Sequence, residues 1–309
     1  MMPPDAIKLW AAETRAGSEG PFQLNLWVPD PLPTRDSAVE GAVRAFLRQW
    51  GPDVAREAGN ATLPDFAAQC DAMLEAKPAA ISSIMGIYPP ALVHRMKAQG
   101  IKWFATVTTV AEANLAEQAG ADAIVAQGME AGGHRGAFDA ARAEAEMVGL
   151  FALLPAIVDA VSVPVIATGG IADARGVAAA LLLGASAVQV GTGFLRCPEA
   201  KLPPAWADGL ARTLPEQTLI TRAFSGRPGR SIATAYARAA AAPDAPAPAP
   251  YPVQRGLTQA MRDLGLKTSD LDRMQAWAGQ SAALATARPA AEVARELWEG
   301  ALALLGGRS

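Results

Sequence analysis

Histidine is almost missing from this 309-residue chain, which has only His94 and His134. No His/Cys/Asp/Glu cluster has metal spacing, which argues against a structural zinc. Cysteine is equally scarce. Cys70 and Cys197 stand without a CxxC pair and read as two unpaired thiols in a reducing compartment. Charged residues make up 18% and nearly cancel at a net −3, with no Lys/Arg-rich cluster. Nucleic-acid and anionic-membrane partners are therefore not expected. No apolar run reaches the ~18 residues of a membrane span, and the N-terminus lacks a basic region followed by an apolar core. The expectation is a soluble, cytoplasmic protein. Also missing are a GxGxxG after a first strand and a GxxxxGK[ST], so neither a Rossmann dinucleotide site nor a P-loop is supported.

What the chain does have is apolar material, at 51% of residues, enough for a sizeable core. Six segments read as strands: 22–28, 79–85, 102–107, 122–126, 163–168 and 187–192. Helical spacing falls between them, at 3–16, 37–50, 63–76, 89–99 and a long stretch of about 140–160. Thr109-Val-Ala-Glu112 fits a capping box and opens another helix, and Asp173 can cap the one after 163–168. Gly100, Gly120 and Gly184 close helices as C′ glycines. Strand, glycine turn and helix in alternation imply βαβ units and a parallel sheet. The expected fold is a TIM-type (β/α)₈ barrel, here with six recognisable strands where closure needs eight. Residues 1–200 form that barrel. Residues 201–309 read as a mostly helical C-terminal region at its mouth, with helices at 255–265, 269–278 and 289–305.

One stretch carries the chemistry. The buried run Asp122-Ala-Ile-Val-Ala126 breaks into Gln127-Gly-Met-Glu-Ala-Gly-Gly-His-Arg-Gly136. A titratable group on a glycine-rich loop after a parallel strand is where such barrels place their active sites; the other reading of His134 is a solvated histidine on a mobile loop. Gly169-Gly170 and Gly191-Thr192-Gly193 follow the last two strands. Their N–H groups can cradle a phosphate, or they simply allow tight turns. A phosphate with one histidine nearby suggests a phosphorylated cofactor, and flavin mononucleotide (FMN) fits. Gln127 and Gln189 can bond its ring or ribityl groups, or satisfy strand ends. Asn25, mid-strand, is either a structural hydrogen-bonder or a ligand contact. Glu130 either orients His134 or faces water. His94 reads as a surface histidine.

These residues resemble a family. Gln127-Gly-Met-Glu-Ala-Gly-Gly-His-Arg-Gly136, Pro164-Val-Ile-Ala-Thr-Gly-Gly-Ile-Ala-Asp173 and Gln189-Val-Gly-Thr192 are similar to the nitronate monooxygenases, formerly called 2-nitropropane dioxygenases. Phe224-Ser-Gly-Arg-Pro228, Tyr251-Pro-Val-Gln254 and Trp277-Ala-Gly-Gln280 follow in that family's order. The resemblance implies an FMN-dependent barrel that oxidises alkyl nitronates or nitroalkanes with dioxygen to a carbonyl compound and nitrite. It implies FMN contacts at Asn25, Gln127, Gly132, Gly169, Gly170, Gln189, Gly191 and Thr192, with His134 as catalytic base. Trp277 and Gln280 either wall the site or pack the C-terminal helices. Family members begin with two further strand–helix units, so the chain is expected to be N-terminally incomplete through a misplaced start. Rival expectations are an FMN-dependent enoyl-acyl-carrier-protein reductase using NAD(P)H, and an inactive truncated barrel. A monomer or a homodimer is expected.

Overall fold

A computed structural model describes residues 2–306. Met1 and residues 307–309, the outer ends of the two expected regions, lie outside it. Strands β1 (Gln23–Trp27), β2 (Ala80–Ile84), β3 (Lys102–Val107), β4 (Ala123–Gln127), β6 (Val165–Thr168) and β7 (Ala187–Gln189) form one parallel sheet in the order β1-β2-β3-β4-β6-β7. All six coincide with segments read as strands. The central ones are buried on both faces, which is why β4 reads as an unbroken apolar run. The sheet curls into a half-barrel, and β1 and β7 are its edges. Consequently Asn25 and Gln189 are exposed rather than buried in strand interiors.

Local chemistry sets the helix ends. The hydroxyl of Thr109 accepts from Glu112 N at 3.2 Å, and the Asp173 carboxylate accepts from Gly176 N at 3.1 Å, each satisfying an orphan N-terminal donor. Gly100, Gly120 and Gly184 end their helices with positive φ of 72°, 96° and 97°. The Glu112 carboxylate does not close the capping box on Thr109. It accepts instead from Thr108 N, the Thr108 hydroxyl and Phe138 N, tying the loop after β4 to the barrel. The apolar core lies between the sheet and its flanking helices, around Ile81, Met96, Trp103, Ile124, Leu154 and Val177.

Three expectations need correction. The helix expected at about 140–160 is confined to Leu150–Val158. Turns occupy the preceding residues, where Arg222 bonds Glu144 and the Ala140 carbonyl, so tertiary contacts override helical spacing there. The expected helix at 269–278 is a single 3₁₀ turn, Leu271–Arg273, followed by extended chain bridging Trp277 to Ser231. The C-terminal region is also not helix alone. Strands β8 (Thr218–Thr221) and β9 (Gly229–Ile232) pair antiparallel, and β9 pairs with β5 (Gly133–His134). This second sheet pins the His134 loop. Among the described residues no helix is long and apolar enough to cross a membrane, and no cluster of acidic, His and Cys side chains could hold a metal ion.

Candidate active site

The carboxyl ends of β4, β6 and β7 are brought level by register. Gln127 pairs with Thr168, and Thr168 with Gln189. The glycine turns follow directly, and together they open into a cavity of about 200 Å³. Asn25, Gln127, Gly132, Gly169, Gly170, Gln189, Gly191 and Thr192 all line it. Ile84, Thr106, Thr168 and, from the C-terminal region, Gly279 and Ser281 are also among the lining residues. No carboxylate lines it, so nothing there repels an anion.

The turn geometry explains the glycines. Gly169 and Gly170 hold φ of +109° and +70°, a region that L side chains avoid. Gly132 packs against the C-terminal loop so closely that a Cβ would lie 2.4 Å from Gly279 N and 2.6 Å from Ala278 C. At Gly191 a Cβ would meet nothing within 4 Å: the backbone there faces empty space. No backbone carbonyl among the described residues accepts from Gly170 N or Gly191 N. The Thr192 hydroxyl accepts from Gly279 N at 3.0 Å, leaving its own proton to donate. Free backbone donors and a gap where side chains would stand suit a phosphate-bearing ligand; of the amides, Asn25 already accepts from the Ser82 hydroxyl at 2.8 Å.

Gln127 takes the second of its two readings, satisfying backbone groups after its strand. Its Oε1 accepts from Gly136 N at 2.8 Å, and its Nε2 donates to the His134 carbonyl at 3.2 Å. It fixes the histidine loop while lining the cavity. Glu130 neither orients His134 nor faces water. Both its oxygens accept from Leu150 N, capping a helix whose N-cap residue, Gly149, has no side chain.

His134 stands beside the cavity rather than in its wall. Its ring is held edge-on between two indoles, Trp27 at 4.7 Å and Trp277 at 4.8 Å. Trp27 is the last residue of β1, so the imidazole sits at the same end of the sheet as the glycine turns. Nε2 lies 2.7 Å from Ser225 Oγ. Burial, then the charges of Arg227 and Arg255, push its pKa down to about 3, so the ring is neutral at neutral pH. Arg227 is itself buried and paired with Asp30. Ser225, Trp27, Thr168, Gly279 and Ser281 were not singled out as site residues from the sequence. Only the Phe224-Ser-Gly-Arg-Pro228 and Trp277-Ala-Gly-Gln280 motifs hinted that distant segments return here.

Such a mouth, glycine-lined and flanked by one neutral imidazole at the carboxyl ends of the strands, is where α/β-barrel enzymes place their active sites. Similarity to known proteins is more specific. The family model described as nitronate monooxygenase matches residues 1–300. That match lends no support to the expected N-terminal loss. Nitronate monooxygenase of Pseudomonas aeruginosa is 39% identical over 292 residues, covering 93% of this chain and 83% of that protein. A probable nitronate monooxygenase of Staphylococcus aureus is 36% identical, covering 87% and 76%. Among solved structures, a nitroalkane oxidase from Streptomyces ansochromogenes superposes with a TM-score of 0.89 at 30% identity, covering 99% of this chain and 88% of that one. FabK from Thermotoga maritima gives 0.74 at 26% identity, covering 99% and 84%. This chain belongs to the nitronate monooxygenase family and is a flavin oxidoreductase.

Proposed function

We propose that the chain binds FMN in this cavity and oxidises alkyl nitronates with dioxygen to a carbonyl compound and nitrite. The observation that carries the reading is the convergence of eight positions, from Asn25 to Thr192, on one cavity, with His134 held beside it against Trp27. FMN, when bound, supplies the electron acceptor that side chains lack. The protein binds, orients and screens. Gly170 and Gly191 offer N–H groups to the phosphate, and Thr192 offers its hydroxyl proton. Gln189 presents its exposed amide toward the remainder of the cofactor, and Asn25, whose Oδ1 accepts from Ser82, offers its amide N–H groups.

His134, neutral at working pH, accepts a proton from the carbon bearing the nitro group when the substrate arrives as a neutral nitroalkane. A substrate that arrives as a nitronate needs no base. For it, the positive charge of Arg255 near the imidazole favours the anion, while that of Arg227 is matched by Asp30. Oxygen uptake with ethyl nitronate or propionate 3-nitronate, with nitrite release and no reduced nicotinamide, is the expected behaviour. NAD(P)H-driven reduction of a crotonyl thioester with no turnover of either nitronate would refute it. His134→Ala should keep the flavin and lose about 10²–10⁴-fold in turnover of neutral nitroalkanes, with preformed nitronates much less affected.

A further inference from the structure

Ser225 lies on the turn between β8 and β9 and is 1% exposed. Its hydroxyl has one proton to give and two lone pairs to fill. Three groups surround it: the Arg227 carbonyl at 3.2 Å, Arg227 N at 3.3 Å and His134 Nε2 at 2.7 Å. A single arrangement satisfies all three. The hydroxyl donates to the Arg227 carbonyl and accepts from the Arg227 N–H and from an Nε2–H of His134. If the hydroxyl proton went to Nε2 instead, the Arg227 carbonyl would lose that donor, and buried acceptors are costly to strand.

We infer that Ser225 is a positioning residue, fixing His134 in its Nε2–H tautomer and leaving the Nδ1 lone pair to take the substrate proton. This rests on reading His134 as the base. Among the described residues Nδ1 makes no hydrogen bond to the protein. The edge-on indoles, at interplanar angles of 75° and 63°, oppose ring rotation that would exchange the two nitrogens. In the step itself, the C–H bond of the nitroalkane breaks and its electron pair moves into the nitro group, giving the nitronate. The proton forms the Nδ1–H bond of an imidazolium. The Nε2–H···Oγ bond persists throughout, so the proton is gained and lost at one atom without reorientation.

Long-range ¹H–¹⁵N correlation on the intact enzyme with labelled histidine reads the tautomer directly. Only two histidines are present, and His94→Gln, at an exposed position of the helix Pro90–Ala98, assigns the other. The expected result is a proton on Nε2 and a bare Nδ1. Ser225→Ala should give exchange-averaged nitrogens and about tenfold lower kcat on a neutral nitroalkane, with preformed nitronate turnover largely kept. Ser225→Thr, which retains the hydroxyl, should restore the tautomer. A wild-type spectrum with the proton on Nδ1, or an unchanged tautomer in Ser225→Ala, overturns the proposal whatever the activity. Failure of the base reading shows separately, as full nitroalkane turnover by His134→Ala.

Discussion

Gly191 separates the fold from the cofactor cradle. Its backbone, at φ −105° and ψ −74°, is open to any L residue, and a Cβ there meets nothing within 4 Å. Gly191→Ala should therefore leave the flavin-free protein within about 0.5 kcal/mol of wild type, or stabilise it slightly by restricting the unfolded chain. If this turn cradles the phosphate as proposed, the new side chain occupies the space through which the phosphate approaches its N–H. Losing one hydrogen bond to a charged group costs about 1.5–3 kcal/mol, or roughly 10- to 150-fold in affinity, and Gly191→Val should lose more. Gly132→Ala is the opposite case. Its Cβ would strike backbone, 2.4 Å from Gly279 N, so overpacking of about 1–3 kcal/mol falls on the protein itself, lowering Tm by roughly 2–4 °C per kcal/mol. Thermal unfolding of flavin-free protein, paired with FMN titration by fluorescence quenching, reads both effects. Wild-type FMN affinity in Gly191→Val would refute the placement of the phosphate.

The depressed pKa of His134 makes stability depend on pH. Its folded pKa, about 3, lies below its unfolded value of ~6.5, so the stability is complete above that value and is lost as pH falls from there toward 3. Chemical denaturation at pH 8 and pH 5 should show about 2 kcal/mol lost through this group, and His134→Gln should remove that component of the slope. Asp30→Ala leaves the buried Arg227 guanidinium without its carboxylate partner and should destabilise by about 3 kcal/mol, measured as a lower denaturation midpoint. An unchanged midpoint would mean that solvent already screens Arg227.

The barrel strands were legible because each is short, carries apolar residues and has a glycine or proline near at least one end, a pattern that survives without knowledge of neighbours. The glycine turns lining the cavity were legible for the same reason: Gly169, Gly170, Gly191 and Thr192 follow strand ends in sequence as they do in space. What sequence could not show is how the C-terminal region returns. The pairing of Gly133–His134 with Arg230 and Gly229, and the reach of Trp277 and Ser225 to the imidazole, are long-range contacts with no local periodicity. Neither reading of Glu130, as an orienter of His134 or a solvated carboxylate, held, because the unfilled N–H of Leu150, 20 residues on, claims it. Edge position, which exposes Asn25 and Gln189, depends on strand order rather than on composition.

The central claim is that these strand ends form a flavin site, and the absorption spectrum of the purified protein tests it most directly. The account predicts a yellow protein that releases FMN on denaturation, about one per chain. A colourless protein that stays colourless after FMN is added contradicts it.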